Sequence, residues 1–110
     1  MGKMKFIKTK PYLRAAKKIG ITAQDETRLF DELNQTPEKG DLIIGGGGIR
    51  KIRLALGNRG KSAGARVIYT FLQVDKRVIL LFVYVKAAQS NLTQEQIKQL
   101  RLLNDIFKGA

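Results

Sequence analysis

The sequence predicts an α+β fold in the order β-α-α-β-β-β-α, a small antiparallel-meander sheet flanked by two N-terminal helices and a C-terminal helix. Three observations lead there. Apolar residues recur at helical spacing in the first third of the chain and at alternate positions from Ile49 onward. Two helix-start patterns, Thr22 with Asp25 and Thr93 with Gln96, stand near opposite ends of the chain. The run from Val78 to Val85, "VILLFVYV", is apolar throughout, as befits a central strand buried on both faces.

Met4 to Lys8, "MKFIK", reads as a short first strand. Pro11 suits the first turn of a helix that turns Leu13, Ala16 and Ile19 to one side and stops at Gly20. Thr22 caps a second helix with the apolar stripe Leu29, Phe30 and Leu33, ended by "NQTPEKGD". The segment through Gly48 reads as loop. From Ile49 the period is two: Ile49, Lys51, Arg53 and Ala55 point to one face, and Arg50, Ile52, Leu54 and Leu56 to the other. "GNRGKSAG" is a loop, and "ARVIYTFL" (Ala65 to Leu72) is a strand rich in β-branched and aromatic residues. A polar turn around Asp75 and Lys76 leads into "RVILLFVYVK". The capping box at Thr93 and Gln96, a staple of Leu92 on Ile97, and the apolar face Ile97, Leu100, Leu103, Ile106 and Phe107 define the last helix. Residues 1–110 form one domain, without internal repeat or linker.

Charge narrows the function. The chain has 21 Lys and Arg against 9 Asp and Glu, a formal net charge of +12, so it should bind polyanions with strong salt dependence. No apolar run approaches a spanning helix and the N-terminus lacks the core of a signal peptide, so no membrane role is expected. With no cysteine and no histidine a zinc site is not expected either. A cytoplasmic protein with no metal and no cofactor is the expectation.

The charge concentrates in "GGGGIRKIRLALGNRGKSAGAR", Gly45 to Arg66, with six basic side chains, seven glycines and no acid in 22 residues. Its "GKS" imitates a nucleotide-binding loop. That pattern needs a glycine five residues before Gly60, where Ala55 stands, and a helix afterwards, where a strand follows. The tetraglycine precedes a strand rather than leaving one, so neither stretch cradles a nucleotide.

A surface for a nucleic-acid backbone fits better. Lys51 and Arg53 project from one face of a strand about 7 Å apart. Arg66 opens the next strand, the loop between them carries Arg59 and Lys61, and Lys86 ends the third strand with Tyr84 on its own face. Arg50 adds to the same basic run. Taken singly, each is better explained as a solvating charge at a strand end. As a set, like charges two apart on one face repel, which stability alone does not favour. Tyr69 belongs to the core by alternation, while Tyr84 either stacks its ring on a base or ends a strand with its hydroxyl in water.

Such residues suffice to cleave RNA through its own 2′-hydroxyl. The chemistry needs an oriented nucleophile, charge stabilisation on the phosphorane and help for the departing 5′-oxygen. Arginine forks serve the second need, and a lysine crowded by cations serves as general base or acid.

The element order, with "GGIRKIR", "GKSAGARVIYTFL" and an apolar strand ending in "VYVK", resembles the RelE and ParE superfamily of bacterial toxin–antitoxin toxins, most closely its HigB branch. The resemblance covers roughly Asp25 to Leu100. It implies an endoribonuclease, an mRNA interferase that acts on mRNA in the A site of the ribosome's 30S subunit and blocks translation, and a cognate antitoxin that neutralises it. By position, Lys51 and Arg53 match the family's basic pair, Arg66 the arginine opening the next strand, and Lys86 a lysine just after the last strand. These four are the catalytic candidates, with Arg50, Arg59, Lys61 and Tyr84 as RNA contacts. The arginine that follows the lysine in RelE is Ala87 here, and the tyrosine a few residues on falls near Thr93. A ParE-like poison of DNA gyrase and a non-catalytic RNA-binding protein are the competing functions. The basic rim favours the two RNA readings over the gyrase poison, which needs no phosphate grip.

Overall fold

A computed structural model describes residues 3–57 and 64–109. The elements are β1 (Lys5–Lys8), α1 (Lys10–Ile19), α2 (Ala23–Gln35), β2 (Asp41–Leu42), β3 (Arg50–Leu54), β4 (Ala65–Leu72), β5 (Arg77–Val85) and α3 (Gln94–Gly109). The five strands form one sheet in the order β1-β5-β4-β3-β2. The α+β class and the meander of β3, β4 and β5 agree with the sequence reading.

Two features of the sheet differ from it. Asp41 and Leu42 lie in the stretch expected to be loop, yet they pair antiparallel with Lys51 and Arg50. Two residues are too few to show an alternation. The sheet is also mixed, because β1 pairs parallel with β5. Residues 9–76 form the crossover between those strands, so no local pattern announces the pairing.

The helices are held as their end signals require. Thr9 caps α1 by accepting from the Tyr12 N–H at 3.4 Å, and its hydroxyl donates to the Leu80 carbonyl at 2.9 Å, which ties the helix start to β5. Gly20 ends α1 at φ 89°, a left-handed conformation that glycine adopts without a Cβ penalty. The inner face of α1 is rotated from the expected one: Tyr12 and Ala16 are buried, while Leu13 is 48% exposed. Tyr12 takes the inner position because its hydroxyl, otherwise stranded, donates to Glu26 of α2 at 2.8 Å. In α2 the capping box is complete, with Asp25 N–H on the Thr22 hydroxyl at 3.1 Å and Thr22 N–H on the Asp25 carboxylate at 3.0 Å. Thr93 and Gln96 make the same reciprocal pair at the start of α3.

The sheet has two buried faces. Ile52, Leu54, Val67, Tyr69, Val78 and Leu80 pack under α1 and α2 with Leu29 and Leu33. Ile49, Ile68, Ile79 and Leu81 pack under α3 with Leu100. Ile106, expected on the inner face of α3, is 67% exposed, and Asn104 is fully buried instead.

One irregularity in β5 decides which side chains meet. Ile68 pairs with Phe82 and Tyr69 with Leu80, so Leu81 has no partner and forms a bulge. Before it, Val78 and Leu80 face α1 and α2; after it, Val83 faces them and Tyr84 faces α3. Strict alternation from Val78 would have put Tyr84 on the opposite face.

Candidate nucleic-acid interface

The register builds a row of side chains across three strands. Arg53 of β3 lies opposite Arg66 of β4, and Arg66 lies opposite Tyr84 of β5. Paired residues share a face, so all three project on the α3 side, with Lys51 one step along β3 opposite Ile68. Neighbouring strands are about 4.8 Å apart, so the row spans about 10 Å of backbone. Lys86 follows β5 in a turn, exposed, with its N–H on the Gly64 carbonyl at 3.3 Å. The structure therefore brings Lys51, Arg53 and Arg66 to one end of one sheet face, the Leu81 bulge adds Tyr84 of β5 to it, and Lys86 stands in the turn just beyond that strand.

That end stays open because α3 covers only the other. Ile49 is buried beneath the helix, Lys51 is half-buried at its margin, and Arg53 is exposed beyond it. One strand thus supplies core and exposed charge on the same face.

Five of the protein's nine acids are engaged elsewhere, and Asp41, which pairs with Lys51 across β2 and β3, is not within ion-pair distance of it. Lys8 pairs with Glu26, Arg28 with Asp25, Lys39 with Glu32, Arg50 with Glu38 and Arg77 with Asp75. Among the described residues none of Lys51, Arg53, Arg66 and Lys86 has a carboxylate within ion-pair distance. Among the described residues Arg66 donates to the neighbouring Ala65 carbonyl, at 3.3 Å. The positive charge of the cluster is therefore not offset by a carboxylate among the described residues.

Arg50 does not join it. Its side chain lies on the α1 and α2 face, where it donates to the carbonyls of Glu38 at 3.0 Å and Gly40 at 2.7 Å and to the Glu38 carboxylate at 3.4 Å. It straps the segment before β2 to the sheet, together with Tyr69, whose hydroxyl accepts from the Gly40 N–H and donates to the Pro37 carbonyl, both at 2.8 Å. Arg59 and Lys61 lie outside the described residues.

Tyr84 is neither open to a base nor wetted at its hydroxyl. It is 4% exposed, and the hydroxyl is buried without a hydrogen-bond partner among the described residues. Burial raises its pKa above the usual phenol value, against a smaller opposing pull from Arg66, so the group stays neutral. A small cavity of about 100 Å³ lies at this point, lined by Lys51, Tyr84, Ile43, Asn91, Leu92 and Ile97. Tyr84 and the start of α3 form the floor beneath Lys51.

The sequence reading missed the clamp at the end of β3. The buried Asp25 carboxylate accepts from the Gly57 N–H at 3.2 Å and from Arg28 at 2.6 Å, while Arg28 also donates to the Ala55 carbonyl at 2.7 Å. Burial pushes the Asp25 carboxyl up, but the Thr22 N–H, the Arg28 guanidinium and the Thr22 hydroxyl outweigh it and hold the group below its usual value. The only trace of this in the sequence is the choice of Asp rather than Glu in the capping box.

Among the described residues no group of three or more His, Cys, Asp and Glu is arranged to hold a metal ion. No helix among them is long and apolar enough to cross a membrane.

The fold has known counterparts. The free-state structure of a mutant of the E. coli toxin RelE superposes with a TM-score of 0.56 at 16% identity, covering 94% of this chain and 98% of that one. At that identity the likeness is one of fold. The family model described as the RelE toxin of the RelE/RelB toxin–antitoxin system matches residues 4–110, nearly the whole chain, and therefore this protein belongs to the RelE toxin family.

Proposed function

We propose that this chain is the toxin of a type II toxin–antitoxin system, of the HigB type, and that it acts in the cytoplasm as an endoribonuclease on mRNA in the ribosomal A site, with a cognate antitoxin to restrain it. The observation that carries this reading is the opposed pair Arg53 and Arg66, which has no carboxylate within ion-pair distance among the described residues and has Lys51 beside it on the same face. A phosphodiester supplies the missing negative charge, and two guanidinium forks facing one point suit the extra charge of a phosphorane.

The step uses the RNA's own 2′-hydroxyl as nucleophile. Its oxygen attacks the adjacent phosphorus, the bond to the 5′-oxygen breaks, and a 2′,3′-cyclic phosphate and a free 5′-hydroxyl result. In-line displacement needs a proton acceptor and a proton donor on opposite sides of the phosphorus. Lys51 on β3 and Lys86 just beyond β5 serve as acceptor and donor. Tyr84 acts as floor rather than as a stacking platform. Arg59 and Lys61, on the segment joining β3 to β4, add contacts to the RNA backbone.

The test is to map mRNA 5′ ends after brief expression of the chain and of its Arg66→Ala variant. New ends in translated frames, absent with the variant, are expected. Double-strand DNA breaks linked to gyrase, with no new RNA ends, would establish the gyrase poison instead. RNA binding without new ends would establish a non-catalytic binder.

A further inference from the structure

Among the described residues the outer edge of β3 has no strand beside it beyond Lys51, because β2 pairs only with Arg50 and Lys51. The Ile43 N–H donates to the Ile49 carbonyl on that edge, and by the same parity Arg53, Ala55 and Gly57 turn their peptide groups to it. On the inner edge the pairing with β4 stops at Leu54 and Ala65. Arg53, opposite Arg66, is thus one pair from the end of the ladder, where strands fray. Leu54 and Leu56 are anchored in the core under α1 and α2, whereas Arg53, Ala55 and Gly57 are exposed.

Two side chains from the start of α2 take the place of a neighbouring strand there. Arg28 donates to the Ala55 carbonyl and to Asp25 Oδ1, and the same carboxylate oxygen accepts from the Gly57 N–H. A carbonyl and the N–H two residues on are the groups through which a parallel strand grips the residue between them, here Leu56. Helix capping does not require this. The box at Thr22 uses the other carboxylate oxygen, Oδ2, and is complete without Arg28 or Gly57. Arg28 gives up rotamer freedom for the contact although its side chain remains 48% exposed.

We infer that Asp25 and Arg28 are positioning residues for RNA cleavage: they fix the direction in which β3 ends and, through it, the placement of Arg53 opposite Arg66. The inference rests on the nuclease reading above. Arg53 stands two residues before the gripped carbonyl, and it borders, with Lys51, Arg28 and Ala55, an open groove of about 540 Å³ along the strand edge. A guanidinium that must meet developing charge on a phosphorane is sensitive to such support, since a misplacement of about 1 Å can cost about 10²-fold in rate. Neither Asp25 nor Arg28 has to touch RNA for this. The pair acts on the backbone of β3, and the strand carries the effect to the arginine row.

The experiment sets geometry against charge. Arg28→Gln removes a cation and Asp25→Asn an anion, so a purely electrostatic effect on a polyanionic substrate moves the two variants in opposite directions, whereas a positioning effect moves them together. The full chain with each substitution and with both is assayed for single-turnover cleavage at saturating mRNA-programmed ribosomes. The temperature is held well below the melting point of the least stable variant, so that every protein compared is folded. Each single variant should cut about tenfold more slowly or worse, the double variant no more slowly than the slower single one, and amide exchange at Gly57 should quicken in all three. Ribosome affinity of Arg28→Gln should keep its salt slope, which loss of one phosphate contact would flatten by about 0.9. Cleavage at the full rate by Arg28→Gln would overturn the inference. So would a slope flattened by that amount, or an Asp25→Asn protein that binds and cuts better, since either makes Arg28 an RNA contact. Should Asp25→Asn not fold, Arg28→Gln, at a half-exposed residue, decides alone by rate and slope. If the unsubstituted chain cuts no mRNA, the nuclease reading fails and this inference with it; if it cuts and the variants keep its rate, only this inference fails.

Discussion

Replacing Arg66 by glutamine should make the protein more stable and less active at once. Arg53 and Arg66 are directly opposed across β3 and β4, and the Cβ atoms of such a pair lie about 5 Å apart. Two unit charges about 6 Å apart at an effective dielectric of about 40 repel by about 1.4 kcal/mol, which salt at physiological strength reduces to under about 1 kcal/mol. Glutamine removes that repulsion and retains much of the side chain's packing. A gain of about 0.5–1 kcal/mol should raise Tm by about 2–6 °C in a domain of this size.

The catalytic cost runs the other way. Removing one donor from developing charge typically costs about 10²–10³-fold in rate, or about 2.7–4 kcal/mol of transition-state stabilisation. The assay pairs thermal melts with single-turnover mRNA cleavage on ribosomes for Arg53→Gln, Arg66→Gln and the double variant. After the first substitution no pair is left to repel, so the second should add little stability, and the two losses of rate should sum to more than the double variant shows. An Arg66→Gln protein that melts several degrees lower, or cuts at the full rate, would refute the reasoning.

Two further predictions concern groups around the row. Asp25→Asn should destabilise the protein by about 1–3 kcal/mol at neutral pH, because the N–H groups of Thr22 and Gly57 and the Arg28 guanidinium lose their common acceptor. Since the folded carboxyl lies below its unfolded value, this stabilisation is present above about pH 4 and is lost as pH falls through the folded pKa; urea titrations should show the two proteins converging in acid. Tyr84→Phe deletes a buried hydroxyl that has no partner among the described residues and should raise stability by about 1 kcal/mol in the same titrations. A loss there would mean that the hydroxyl is bonded in the folded protein.

Much of the architecture was legible because it rests on local signals. Both capping boxes, the stop at Gly20, and the period-two run that sends Ile49, Lys51 and Arg53 to one face are written in short stretches, and the structure realises each. What escaped depends on long-range competition. Leu13 and Tyr12 compete for the inner face of α1, and the winner is decided by Glu26, which waits on another helix. The parity of β5 is broken by Leu81 in a run where every residue is apolar, so no change of residue type marks the bulge. Arg50 looks like one more member of a basic run, yet the alternation that separates it from Lys51 sends it to carbonyls on the opposite face.

The glycines of the tetraglycine segment serve the fold more directly than they serve RNA. Gly47 has φ +69°, and its carbonyl accepts from Asn104 at 3.3 Å and Lys108 at 3.2 Å, while Arg101 donates to Gly45 at 3.4 Å. This loop therefore receives the last two turns of α3. A Cβ on Gly47 would stand 3.3 Å from the Arg101 side chain in a backbone conformation that alanine resists. Gly47→Ala should cost about 1–2 kcal/mol and loosen the C-terminal turns of α3, read as faster amide exchange from Leu100 onward. The same helix, at its start, walls the cavity beneath Lys51 and Tyr84, so a loosened α3 should also lower cleavage. Ribosome binding through exposed charges should change little. Unchanged exchange in α3 with full cleavage would separate the loop from the site, and a loss of ribosome affinity equal to the loss of rate would instead place the loop at the RNA surface.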